Sequence, residues 1–151
     1  MSNTQAMSTS FKGEILSGVH ALGTTVTRAT TAADTLKAAL YLASATVNAA
    51  TTAYSATGEV SGAGYSAGGV TVTNATAPTT SGTTGYWTPS ASITYTTVTL
   101  TTAFDCVLIY NSTQSNKAIS VHTFGSQTVT AGTFTLTMPT NDASNALIRI
   151  A

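Results

Sequence analysis

Toward its C-terminus the chain sets an apolar residue on every second position and threonine between, most cleanly in Thr133-Phe134-Thr135-Leu136-Thr137-Met138. A two-residue period gathers the apolar side chains on one face of an extended strand, which a helix cannot do. Threonine reinforces the choice. Its branched β-carbon fits a pleated surface, and its hydroxyl keeps the outer face wet without charge. Thirty-four of the 151 residues are threonine, and with Ser, Ala and Gly they make up about 57% of the chain. That is far from ordinary usage.

Read with this period, the chain from residue 70 onward is all β. Residues 70–76 alternate, with Val70 and Val72 on one face, and 78–85 is a turn-rich break. In 92–100, Ile93 and Tyr95 fall on one face but Val98 and Leu100 on the other, which predicts a bulge or bend near Thr96-Thr97. Residues 104–110 are apolar nearly throughout, so this strand is central. Strands follow at 117–124 (Ile119 and Val121 inward), 127–130, 133–138 and 145–151 (Ile148 and Ile150 on one face), with turns at 111–116, 125–126 and 131–132 and a loop at 139–144. Residues 35–44 suit either helix or buried strand, and the β context favours strand. Seven or eight short strands with frequent turns predict a mainly β fold, a β-sandwich or jelly roll.

The N-terminus differs. Residues 1–9 form a polar arm, and Ser10 is placed to cap a short helix. Phe11, Ile15, Val19 and Leu22 recur at spacings of four, four and three, one helical face, with Gly23 as its stop. Gly13 and Gly18 weaken such a helix by about 1 kcal/mol each, so it needs a partner surface, either its own sheet or a neighbouring subunit. Residues 24–34 read as a linker, giving an arm, helix and linker over 1–33 and a β domain over 34–151.

Charge excludes several functions. Charged residues are 7% of the chain, five basic against five acidic, where about 25% is usual. No basic footprint exists for nucleic acid or for an anionic membrane, and no run approaches the ~18 apolar residues of a membrane span. No signal sequence is visible, so synthesis in a cytoplasm is expected. A single cysteine, Cys106, lies in a core-like strand and is expected to be a buried, inert thiol. His20 and His122 lack neighbours at metal-ligand spacing, and the carboxylates are scattered, so neither a cofactor nor a catalytic role is expected. The segment 62–69 misses dinucleotide-loop spacing and reads as a flexible surface loop. Asn74-Ala75-Thr76 and Asn111-Ser112-Thr113 match the glycosylation pattern by composition. Tyr65, Tyr86 and Trp87 stand beside glycines in loop-like segments, where aromatics either cover the open end of a sandwich or anchor a contact with protein or sugar.

Four stretches carry a family resemblance: Ala6-Met7-Ser8-Thr9-Ser10-Phe11-Lys12; Thr51-Thr52-Ala53-Tyr54-Ser55-Ala56-Thr57-Gly58-Glu59-Val60; Leu108-Ile109-Tyr110-Asn111-Ser112-Thr113; and Asp142-Ala143-Ser144-Asn145-Ala146-Leu147-Ile148-Arg149-Ile150. The chain resembles a family of small virion structural proteins encoded by tailed bacteriophages. The resemblance implies a capsid decoration (cement) protein located in the virion. On this reading its partners are the major capsid protein and further copies of itself, as a trimer or dimer, and the helical face of Phe11, Ile15, Val19 and Leu22 is the expected assembly surface. The alternative is a tail or fibre component that binds the host surface through Tyr65, Tyr86 and Trp87. No catalytic residues accompany the resemblance.

Overall fold

The computed structural model describes residues 3–8, 10–11, 15, 18–24 and 33–150. The fold is mainly β. Its strands are β1 (Ala6–Met7), β2 (Leu36–Leu42), β3 (Val70–Thr71), β4 (Thr79–Ser81), β5 (Thr84–Trp87), β6 (Ile93–Asn111), β7 (Lys117–Leu136) and β8 (Ile148–Ile150). They form two antiparallel sheets, one ordered β1-β7-β6-β2-β3 and one ordered β4-β5-β8.

The molecule is organised by the long β6–β7 ribbon, whose strands have 19 and 20 residues. A straight strand would hold Ile93 roughly 50 Å from Ile109. Instead both line one cavity, and the Tyr95 hydroxyl donates to the carbonyl of Ala38, the residue paired with Ile109, at 2.9 Å. The ribbon therefore folds back on itself and encloses the core between its two halves. The fold falls where the register slips, between Tyr95 and Val98, Val98 and Leu100, and Leu100 and Phe104. Phe104 sits inside the bend, with ring centres 6.0 Å from Phe124 and 5.0 Å from Phe134.

These slips correct several strand boundaries. Residues 92–100 and 104–110 belong to one strand, and the expected turns at 125–126 and 131–132 lie within continuous β7. Alternation breaks at both places, but a bulge interrupts alternation without ending a strand. The irregularity expected near Thr96-Thr97 is present, with Thr97 at φ 53°. Its effect is the reverse of a change of face. The extra residue resets the parity, so Ile93, Tyr95, Val98 and Leu100 all enter the same core. Likewise Ile119 is the extra residue in the slip opposite Ile109 and Tyr110. Ile119 and Val121 are both buried, but in different clusters.

The sheet buries both faces. Leu36, Ala38, Leu40, Val107 and Ile109 face the main core, while Ala39, Tyr41, Cys106, Leu108 and Tyr110 lie in a second cluster with Val47 and Tyr54. A strand covered on both sides needs no polar alternate positions. This is why 35–44 looked ambiguous, and it forms β2 as favoured.

At the N-terminus, Ser10, Phe11 and Ile15 are helical, but Gly18 (φ 70°) closes a turn on the Ile15 carbonyl and Val19 and Leu22 are not helical. The expected single helical face is thus cut short, because Gly18 takes a positive φ, which a continuing helix does not allow, five residues before Gly23. Ser10 is itself helical, and its buried Oγ has no hydrogen-bond partner among the described residues, so it is not the cap. Phe11 is fully buried in the main core, and β1 pairs with β7. The helix's partner is its own sheet. Gly13 and most of the expected linker (25–32) lie outside the described residues.

The break expected at 78–85 is instead the β4–β5 hairpin, turned at Gly82 (φ 57°). Its threonines pair through their backbones without any apolar alternation to reveal them. The strands expected at 70–76 and 145–151 shrink to β3 and β8.

The glycine-rich segment 62–69 is a packed strap rather than a free loop. A Cβ on Gly62 would lie 2.0 Å from the Thr99 carbonyl oxygen, one on Gly64 2.1 Å from that of Thr97, and one on Gly69 1.7 Å from that of Ala38. Glycine is required here so that backbone can lie on backbone. Gly69→Ala should therefore destabilise the protein by more than about 2 kcal/mol in urea unfolding. Gly125→Ala, with open space around the new methyl, should change stability by less than about 0.5 kcal/mol.

Candidate functional site

Three distant segments meet in an apolar cleft of about 290 Å³. Ile15 and Leu22 come from the N-terminal segment, Pro78, Tyr86 and Trp87 from the β4–β5 region, and Ile148 and Ile150 from β8. Trp87 is buried, and its indole N–H donates to the Thr76 carbonyl at 2.9 Å. Tyr86 is half-buried beside it. Ile150 is 46% exposed and is the only large apolar side chain so open among the described residues.

The cleft joins residues that the sequence placed in two separate groups. Of the expected assembly residues, Ile15 and Leu22 line it, Phe11 is spent in the core, and Val19 is half-buried outside it. Of the expected surface aromatics, only Tyr86 and Trp87 are here. The surface reading of Trp87 is corrected, because β5 points its ring into the core. Tyr65 is corrected too. Its hydroxyl donates to Glu59 and accepts the Leu40 N–H, at 2.7 and 3.0 Å, and its ring stacks on Tyr95. Ile148 and Ile150 were legible as one face of the last strand, but nothing in the sequence placed that face beside Ile15.

A buried carboxylate fixes the wall of the cleft. Asp34 is 4% exposed, and its Oδ2 accepts the Ala21 N–H at 2.9 Å and the Asn111 amide at 2.8 Å. The same amide lies 3.0 Å from His20 Nδ1, and the His20 ring meets Phe11 edge-on. Asn74 spans from the Asp34 carbonyl, at 2.9 Å, to the Gly23 N–H. Residues 20–23 are thereby tied to the turn end of the sheet. Both glycosylation-pattern asparagines are consumed by these internal bonds, so neither presents a free amide.

Glu59 is the second organising carboxylate. It accepts from the hydroxyls of Tyr54 and Tyr65 and from the Gly68 N–H at 2.6–2.7 Å. Burial first, and then the Glu59 hydrogen bond and charge, pushes the Tyr54 hydroxyl up to about 12. Tyr41, Tyr65, Tyr95 and Tyr110 are raised as well, burial being the largest cause for each. These hydroxyls are donors held protonated, and those of Tyr41, Tyr54, Tyr65 and Tyr110 lock the loop 54–59 and the strap onto the sheet. Cys106 is buried as expected, its thiol pushed up to about 12 by burial and the nearby Asp105. Among the described residues no three His, Cys, Asp or Glu side chains gather to hold a metal ion. No helix among them is long and apolar enough to cross a membrane.

No family model, curated protein or solved structure matches this chain.

Two outcomes follow from these polar groups. Glu59→Ala strands two hydroxyls and one N–H, and should cost about 2–4 kcal/mol in urea unfolding. Glu59→Gln, which keeps one acceptor oxygen, should cost less. His122 is held down to about 4 by burial. A lowered base pKa means that the unfolded chain binds the proton first, so stability is full above about pH 6.5 and falls as the pH drops toward 4. The loss should be on the order of 2 kcal/mol, allowing for partial exposure. His122→Gln should remove that part of the slope between pH 7 and 4.5.

Proposed function

We propose that this protein is a structural component of a tailed-bacteriophage virion, a decoration protein that binds the assembled capsid shell as a homo-oligomer. The apolar cleft is the observation that carries the reading. Aromatic and branched side chains at a concave surface, framed by uncharged residues, have the makeup of an interface anchor. Among the described residues none that lines it is Asp, Glu, Lys or Arg, and the chain carries no net charge to keep copies apart. The mechanism is mass action. A protein that binds only the finished shell stabilises that shell in proportion to its occupancy. Reading the chain instead as a host-binding tail component draws little from the geometry, because the core and the Glu59 network occupy Trp87 and Tyr65.

Ile150→Lys alters the exposed rim and should leave unfolding stability within about 0.5 kcal/mol of the parent. Its affinity for purified heads lacking the protein should fall at least tenfold, about 1.4 kcal/mol or more. Unchanged occupancy of heads by Ile150→Lys and Tyr86→Ala would remove the cleft from the mechanism. Absence of the protein from purified particles would overturn the proposal itself.

A further inference from the structure

The five-stranded sheet ends unevenly on its β7 side. β6 runs along one edge of β7, whereas on the other edge, among the described residues, β1 and Ser8 cover only residues 119–121. From residue 125 to 136 no further strand lies alongside among the described residues. The side chains mark the same margin. Ile93, Tyr95 and Leu100 of β6 are 1–3% exposed, yet Leu136, Phe134 and Val129, which face them on β7, are only half-buried. The core is covered up to β6 and left partly open at β7.

Natural edge strands are blunted by charge, proline, bulges or short length. Residues 118–141 contain no Asp, Glu, Lys or Arg. A bulge at Ala131 (φ 44°) breaks the edge, and beyond it 133–137 is a regular alternation of exposed threonine with Phe134 and Leu136.

We propose that residues 133–137 pair antiparallel with the same residues of a second copy, across a two-fold axis at Thr135, continuing the sheet from one molecule into the next. A second copy is the occupant the observations favour. Antiparallel pairing of a segment with itself needs no other recognition surface. This register sets Phe134 against Leu136 of the second copy, so each covers the other's half-open core. Thr135 meets its own counterpart and extends the cross-strand threonine row begun by Thr94 and Thr135, whose hydroxyls are 3.4 Å apart. The same strand already takes an antiparallel partner, β1, twelve residues earlier at Val121, and nothing charged within 133–137 opposes an identical partner. The pairing rests on the assembly reading above and supplies its self-contact, but it is tested without capsids.

The test is sedimentation equilibrium of the full chain at roughly 10–100 μM. The parent should have twice the chain mass. Thr135→Lys sets two like charges face to face on the axis and should weaken the dimer at least tenfold. Thr135 is exposed, so the melting temperature of this variant in dilute solution should match the parent's. Thr135→Cys should form a disulfide-linked dimer under mild oxidation, while Thr57→Cys, exposed and outside the cleft, should not; Cys106 is buried and does not interfere. A monomeric parent throughout the range, an oligomer indifferent to Thr135→Lys, or failure of Thr135→Cys to cross-link would each overturn the proposal. A dimer that meets all three criteria supports it even if particles prove to lack the protein, so the two readings fail separately.

Discussion

Phe104 and the register slips around it let one ribbon supply both walls of the core. A hairpin with strands of 19 and 20 residues cannot bury its own face while straight. Extra residues at Thr96-Thr97 and between Leu100 and Phe104 bend it, and the Phe104, Phe124 and Phe134 rings fill the inside of the bend. Edge-on aromatic packing adds roughly 1 kcal/mol per pair to the area that the rings bury. Once the ribbon closes, the Tyr95 hydroxyl reaches Ala38 and the strap 62–69 lies flat against β6 and β2. The second cluster then packs on the opposite face of the same sheet.

A chain with so few charges uses them sparingly. Asp34 ties residues 20–23 to the sheet, and Glu59 ties the loop and the strap. Both carboxylates are satisfied by several donors, which is what makes the buried charge of Asp34 and the half-buried one of Glu59 tolerable. The outer surface is left mostly to hydroxyls and methyls. Such a surface neither steers charged substrates nor resists close approach by another neutral surface.

Much of the fold was legible in the residues. Alternation of threonine with Phe134, Leu136 and Met138 located β7, the apolar run 104–110 marked the central strand, and the parity change near Thr96-Thr97 located a bulge. What escaped was long-range. Parity errors at Val98 and Ile119 arose because a bulge resets the face without leaving a local mark. The β4–β5 hairpin lacks apolar alternation altogether. Glycines 62, 64 and 69 looked like freedom and instead serve contact, a distinction that depends on backbone 30 or more positions away. The cleft was half legible: Ile15, Leu22, Tyr86 and Trp87 were singled out, but only the fold sets them together and adds Ile148 and Ile150. Asp34 and Glu59 gave no signal, because each is recognised by the donors that surround it.

A side-chain-resolution cryo-EM map of the intact particle addresses the assembly role most directly. An assembly protein gives density for this chain at many equivalent positions on the shell, with the cleft around Trp87 and Ile150 closed against a neighbouring subunit. Particles with no such density, or copies whose cleft faces open solvent, contradict that role.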